Sequence, residues 1–101
     1  MEMWLDDKRP PPHKDAHVTW VVTAEDAIAL LETGQVTSAS LDHDLGLGKT
    51  GYDVVCWMEE HDAWPERGVR VHSMNPVGRQ RMESVIERAY ERRDEKKASG
   101  V

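Results

Sequence analysis

The sequence lacks the features of a secreted or membrane-spanning protein. Its single cysteine, Cys56, cannot form an internal disulfide, which suits a reducing compartment. No apolar run approaches the roughly 20 residues that a transmembrane helix needs, and acidic residues stand near the N-terminus where a secretion signal would be basic and then apolar. We therefore expect a cytoplasmic protein. Because Cys56 falls in a helical pattern between Val55 and Trp57, we expect it to be a buried structural thiol.

The chain also lacks an excess of basic residues. Its net charge of -6 argues against a protein that coats nucleic acid, because such proteins carry a broad basic surface. A small basic pocket for a nucleotide or an RNA end is not excluded. The 101 residues, 39% of them hydrophobic and 32% charged, are typical of one soluble domain. We predict a single domain over residues 1–101, with residues 94–101 as a frayed tail, and the oligomeric state stays open.

Alternating strand and helix patterns predict an α/β fold. Short apolar or β-branched runs predict four strands, at residues 3–5, 18–22, 36–41 and 69–71. Helices are predicted to begin at Thr23, at Thr50 or Gly51, and at Asn75. The acids after Thr23 resemble a capping box, and Gly34 is placed to end that helix. Asn75 followed by Pro76 is a strong helix start.

The connection between the first two strands differs from the others. Residues 8–16 include three consecutive prolines, so this segment cannot be a helix interior and is predicted to be an extended loop. That loop would place the second strand at the sheet edge, and the next crossover would return past the first strand. The expected result is a four-stranded, mainly parallel sheet of order 2-1-3-4 with about three helices.

Polar residues begin where three of the predicted strands end. In open α/β sheets ligands bind at the carboxyl ends of the strands, near the point where the strand order reverses. We therefore expect eight side chains to converge there: Asp6, Asp7, Asp42, His43, Asp44, His72, Ser73 and Asn75.

Four of these side chains are carboxylates that would repel one another in a small pocket. Either some have raised pKa values or a cation lies among them. Oxygen ligands suit Mg²⁺ or Mn²⁺, and nearby imidazole favours Mn²⁺ or a softer metal. The predicted ligands are Asp6, Asp7, Asp42 and Asp44. In the alternative, Asp6 or Asp44 caps a turn or pairs with Arg9 or Lys49.

The two histidines of the set could move protons in phosphate chemistry. A phosphodiester cleavage needs one group to take a proton from the nucleophile and another to give one to the leaving oxygen. We predict His43 and His72 for these roles, with Asp42 and Asp44 beside them. The alternatives are metal ligation or structural hydrogen bonding.

The start of the last predicted helix has the outline of an anion site. A helix N-terminus presents free N–H groups and the positive end of a dipole, and Gly78 leaves room for close approach. Its alternative is helix packing. The predicted phosphate-binding residues are Ser73, Asn75, Gly78, Arg79, Lys49 and Arg9.

At these residues the chain resembles a known group of domains. The relevant segments are LDD at 5–7, SLDHDLG at 40–46, TGYD at 50–53 and HSMNPVGRQRM at 72–82. They are similar to the cyclic-phosphate processing receiver-like domains, shortened relatives of two-component receivers. The resemblance implies a small, three-layer flavodoxin-like fold and a role on cyclic phosphates at RNA ends or in nucleotides.

The resemblance also assigns residues. It places Asp6 and Asp7 at the receiver's acidic pair, Asp42 at the phosphoacceptor and Ser73 at the small hydroxyl residue. His43, Asp44, His72 and Asn75 depart from receivers, and no fifth strand supplies the receiver's late lysine. Three functions remain: a metal-assisted phosphoesterase of cyclic or terminal phosphates, which we favour; a module that binds a phosphorylated nucleotide without turnover; and a signalling domain phosphorylated on Asp42.

Overall fold

The computed structural model describes residues 1–13 and 17–98. Its elements, in chain order, are β1 Glu2–Leu5, β2 Val18–Val21, α1 Ala24–Glu32, β3 Ser38–Leu41, α2 Gly51–His61, β4 Val69–Val71 and α3 Pro76–Ala98. All four strands are parallel and lie in the order β2-β1-β3-β4. The predicted fold class, strand order and number of helices are therefore confirmed. None of the described helices is long and apolar enough to cross a membrane.

The predicted helix boundaries have local causes in the structure. The hydroxyl of Thr23 accepts a hydrogen bond from Asp26 N at 3.0 Å, which caps the start of α1. Gly34, at φ +74°, follows the end of α1 in the left-handed conformation that glycine adopts most readily. At the start of α2, Thr50 N donates to the Asp53 carboxylate at 2.7 Å. These contacts explain why short sequence signals located the helices well.

One face of the sheet forms the core. Met3, Leu5, Ala39 and Leu41 alternate onto this face and are nearly inaccessible to solvent. The crossovers from β2 to β3 and from β3 to β4 run in one direction, so right-handed connections place α1 and α2 on the same face. Helix α3 packs beside α2 and β4. The three helices therefore cover the core face together, and the described residues form two layers, not the three that the resemblance implied.

The opposite face of the sheet meets loop rather than helix in the described part of the chain. It carries Trp4, Ser40 and the exposed Arg70. The indole N–H of Trp4 donates to Arg9 O at 2.8 Å, which fastens the loop after β1 over the end of this face. Residues 8–13 form neither helix nor strand, as predicted, and residues 14–16 of that predicted loop lie outside the described residues.

The expectation of a buried Cys56 is wrong. The thiol is exposed, because Val54, Val55 and Met58 occupy the buried positions of α2. The neighbouring Trp57 packs only partly against the core. Helix α3 extends to Ala98, and residues 99–101 of the predicted frayed tail lie outside the described residues.

Candidate functional site

A pocket of about 400 Å³ lies at the carboxyl ends of β1 and β3. Its walls come from the loops that follow these strands and from the segment after β4. The lining residues are Asp6, Asp7, Lys8, Arg9, Asp42, Asp44, Gly46 and Met74. All four predicted carboxylates are therefore at one pocket, which is the geometry expected for the strand ends of a parallel sheet.

Three of the four carboxylates form a tight group. Asp6, Asp7 and Asp42 each offer an oxygen, and these oxygens lie within 4.8 Å of one another. Asp44 lines the same pocket but does not belong to this group of the described residues. The structure thus narrows the predicted four-carboxylate cluster to three, because Asp44 turns towards a histidine and an asparagine instead.

Asp6 is the most strongly held of these acids. Its side chain is 1% exposed. Oδ1 accepts hydrogen bonds from the backbone N–H groups of Lys8 and Arg9, each at 2.8 Å, and Oδ2 lies 3.0 Å from His72 Nε2. Burial acts to raise the pKa of Asp6, but the two amides and His72 outweigh it, so the pKa lies below its ordinary value. The buried carboxyl group is therefore ionised at neutral pH.

His72 is held by three contacts on the face of the sheet that no described helix covers. Its Nδ1 lies 2.8 Å from Ser40 Oγ, and its ring stacks on Trp4 with centroids 3.9 Å apart and planes 5° from parallel. Trp4 and Ser40 are register partners in β1 and β3, so period-two alternation places both on this face. Both ring nitrogens of His72 are engaged within the protein, and His72 does not line the pocket.

His43 occupies a separate position beside α3. Its Nδ1 lies 2.7 Å from Asp44 Oδ1, and the same carboxylate oxygen accepts a hydrogen bond from Asn75 Nδ2 at 3.3 Å. These two hydrogen bonds, that of His43 first, lower the pKa of the exposed Asp44. His43 does not line the pocket either. The structure therefore does not bring the two histidines to one pocket, and their predicted roles as proton donor and acceptor stay predictions.

The role expected for Gly78 needs a correction. A Cβ at this position would lie 2.5 Å from the His43 ring, so the missing side chain makes room for that imidazole and not for a phosphate. The Gly78 N–H donates to Asn75 Oδ1 at 3.0 Å, which is the N-terminal cap of α3. The helix packing alternative describes Gly78 better than the anion site does.

Asp42 lines the pocket as the residue that follows β3, and α2 begins very close to it. Its Oδ1 accepts a hydrogen bond from His43 N at 2.8 Å, and its side chain is largely buried. A Cβ at Gly51 would lie 1.9 Å from the Asp42 carbonyl oxygen, so only glycine allows this approach of helix and strand. The glycine is therefore structurally required at the first turn of α2.

Of the four other predicted phosphate-binding residues, one lines the pocket and three do not. Arg9 lines the pocket, and its Nε is 4.0 Å from Asp6 Oδ2. Arg79 pairs with Glu83 at 2.9 Å and lines a different groove, against β4. Lys49 is exposed and does not line the pocket. The hydroxyl of Ser73 is buried and accepts a hydrogen bond from Asn75 N at 3.0 Å.

Sequence reasoning missed five residues of the site: Lys8, Gly46 and Met74 in the pocket lining, and Trp4 and Ser40 beside His72. Lys8 lines the pocket, and its position directly after the acidic pair was the available signal. Trp4 and Ser40 hold His72. Each of these two residues stands directly before the leucine that ends its strand, and that leucine faces the core. The predicted parallel pairing of β1 with β3 therefore already made Trp4 and Ser40 neighbours on the opposite face.

The comparisons with known proteins agree with this architecture. Neither the curated proteins nor the solved structures gave a match. The family model of the cyclic-phosphate processing receiver domain matches residues 1–88 of the 101-residue chain. This match covers every strand and all the pocket-lining residues, and it agrees with the four-stranded parallel sheet. The chain belongs to the cyclic-phosphate processing receiver domain family.

Proposed function

We propose that this domain is a metal-assisted phosphoesterase that acts on cyclic or terminal phosphates of nucleotides or RNA ends. The observation that carries the proposal is the meeting of Asp6, Asp7 and Asp42 within 4.8 Å at the base of the pocket. The family description, cyclic-phosphate processing, gives the substrate class. Lys8 and Arg9 on the pocket wall add positive charge for the phosphate oxygens.

The three carboxylates suit a divalent cation. Their donor atoms are all oxygens, which hard cations such as Mg²⁺ and Mn²⁺ prefer. Asp6 is held ionised by two backbone amides and His72, so it offers negative charge without rearranging. A cation bound by these residues would polarise the phosphoryl oxygen of the substrate. In this proposal Asp6, Asp7 and Asp42 are its ligands.

Asp44 is then the best placed of the predicted proton-transfer groups. It lines the pocket without belonging to the three-carboxylate group, and its carboxylate is exposed, so water can reach it. We propose that Asp44 takes a proton from the attacking water as its oxygen bonds to phosphorus, and that a solvent water gives a proton to the leaving oxygen as its bond to phosphorus breaks. His43 would support it by its contact at 2.7 Å.

Turnover of a 2′,3′-cyclic nucleotide tests the proposal. With Mn²⁺ or Mg²⁺ present, we expect the cyclic nucleotide to be converted to a nucleoside monophosphate, which anion-exchange chromatography separates from the substrate. Asp42→Asn should abolish the conversion because it removes a cation ligand. Arg79→Ala is the matched control, since Arg79 faces another groove. An unchanged substrate with wild-type protein and either cation would overturn the proposal.

A binding module without turnover is the second candidate. The observation that favours it is that neither His43 nor His72 lines the pocket, so neither is in place to act directly on a bound phosphate. Calorimetry would separate the two candidates: a binding module gives saturable heat with a cyclic nucleotide that is recovered unchanged afterwards. The receiver alternative predicts a stable adduct of one phosphate on Asp42 after treatment with a small phosphodonor and Mg²⁺.

A further inference from the structure

The hydrogen bonds around Asp6 leave one direction open for a ligand. An ionised carboxylate offers about four acceptor positions, two on each oxygen. The amides of Lys8 and Arg9 take both positions on Oδ1, and His72 Nε2 takes one on Oδ2. The position that remains is on Oδ2, where Arg9 Nε, 4.0 Å away, is too distant to form a hydrogen bond. A cation in the pocket would therefore meet Asp6 through a single oxygen, and His72 decides which side of that oxygen is free.

The contacts of His72 also define its hydrogen positions. Because ionised Asp6 can only accept, Nε2 must carry the hydrogen in this contact. In the neutral ring Nδ1 then accepts, and the Ser40 hydroxyl at 2.8 Å donates to it. Stacking on Trp4 fixes the plane of the ring. In that form of the ring, the hydrogen bonds run in one direction from Ser40 through His72 to Asp6.

We propose that His72 is a positioning residue, which Ser40 and Trp4 orient so that Asp6 presents one oxygen of fixed direction to the cation. The inference rests on the proposed function, because it assigns a role towards a cation that Asp6, Asp7 and Asp42 would share. It differs from the sequence expectation, in which His72 moved a proton to or from the substrate. Partners of metal ligands commonly act in this way, and their loss weakens metal binding.

Nucleophilic catalysis by Ser40 is the competing interpretation of the same contacts. A serine, a histidine and an aspartate in hydrogen-bond sequence have the composition of a hydrolytic triad. Ser40, however, lies inside β3 and is paired with Trp4 on one side and Arg70 on the other. The backbone N–H groups around it belong to the sheet ladder, so they do not form an oxyanion hole. The chain of contacts therefore serves Asp6.

Two substitutions of His72 distinguish positioning from proton transfer. The amide nitrogen of glutamine can take the place of Nε2, so His72→Gln keeps a donor for Asp6, whereas the shorter His72→Asn keeps only a group near Nδ1. We expect His72→Asn to lower the affinity for Mn²⁺ alone by about 10- to 100-fold, and His72→Gln to stay within about threefold of wild type. A proton-transfer role would leave the affinity of both variants unchanged.

Ser40 supplies a second, milder pair of variants. Ser40→Ala removes the donor to Nδ1 and should lower the Mn²⁺ affinity by up to about 10-fold, and Ser40→Thr should restore it because it returns the hydroxyl. Ser38→Ala is the matched control. Ser38 lies on the same strand and its hydroxyl donates to Glu2 at 3.4 Å, so its loss should have no effect on Mn²⁺.

The hydrogen positions can be read without metal or substrate. Nitrogen-15 NMR of the histidine rings, recorded at alkaline pH, should show hydrogen on Nε2 of His72 in wild type. In Asp6→Asn the amide NH₂ can face the ring, and the hydrogen should move to Nδ1. Hydrogen on Nδ1 in wild type, or equal losses of Mn²⁺ affinity in His72→Gln and His72→Asn, would overturn the positioning role. A wild-type protein that binds no Mn²⁺ overturns the proposed cation site itself, a different result.

Discussion

Two aspartate–histidine pairs of the described residues lie at the same edge of the sheet, and their surroundings differ sharply. Asp6 and His72 lie 3.0 Å apart, and Asp44 and His43 lie 2.7 Å apart. The Asp6 side chain is 1% exposed, whereas that of Asp44 is 66% exposed. The two contacts have similar lengths but differ in strength, because water competes for an exposed carboxylate and not for a buried one.

The partners of the two pairs show the same difference. Two backbone amides and a ring fixed by stacking hold Asp6 in one orientation. Asp44 is held by His43 and by an asparagine side chain at 3.3 Å. The contacts of the buried pair therefore fix the orientation of the Asp6 carboxylate, which suits a ligand of a cation. The Asp44 carboxylate remains accessible to water, which suits proton exchange.

The largest expected effect concerns cation binding. Asp6→Asn removes the charge of a carboxylate in the three-membered group, so we expect the Mn²⁺ affinity to fall by about 100-fold, the equivalent of a lost charged interaction. Asp44→Asn should change it by less than about threefold, since Asp44 lies outside the group. Titration calorimetry measures both. Equal losses of Mn²⁺ affinity in the two variants would contradict the different roles of the two pairs.

The next effect concerns stability in acid. The pKa of Asp6 is lower in the folded protein than its ordinary value of 3.8, so the unfolded chain binds more protons at low pH. Its stabilisation is complete well above pH 3.8 and is lost as the pH falls through the lowered folded pKa. At pH 7 we expect Asp6→Asn to lower the unfolding free energy by about 2 kcal/mol.

Urea unfolding at several pH values between neutral and strongly acidic checks this prediction. The difference between wild type and Asp6→Asn should shrink as the pH falls below 3.8, because the unfolded chain takes up the proton first and the folded protein takes it up only at its lowered pKa. Asp44→Asn serves as the comparison, and its curve should follow wild type closely because Asp44 is exposed to solvent. A difference between Asp6→Asn and wild type that does not change with pH would contradict the assignment.

The smallest effect concerns the exposed pair. Gly78→Ala places a Cβ against the His43 ring, so His43 or the start of α3 must shift. Overpacking costs about 1–3 kcal/mol, and the better helix propensity of alanine offsets about 1 kcal/mol, so a net loss of about 1 kcal/mol is expected. The Mn²⁺ affinity should not change. Gln80→Ala, at an exposed position of the same helix, is the matched control for stability, and a Gly78→Ala variant as stable as this control would contradict the packing role.

Local sequence signals predicted most of the fold. The capping residues Thr23 and Asn75, the glycine at position 34 and the three prolines after β1 each restrict the backbone by their own chemistry. They located the helices and the loop without knowledge of distant contacts. The burial of Cys56 was mispredicted, because its helical pattern left open which of several adjacent residues would face the sheet.

The sequence by itself also determined that the acids of the site meet at one edge, since residues that follow parallel strands must emerge at the same side of the sheet. Which of these side chains face the pocket could be seen only in the tertiary structure. It placed His72 on Asp6, Asp44 on His43, and Arg79 in another groove. The reason is that strand order determines where the strand ends lie in the sheet. The direction of each side chain there depends on the packing of its neighbours.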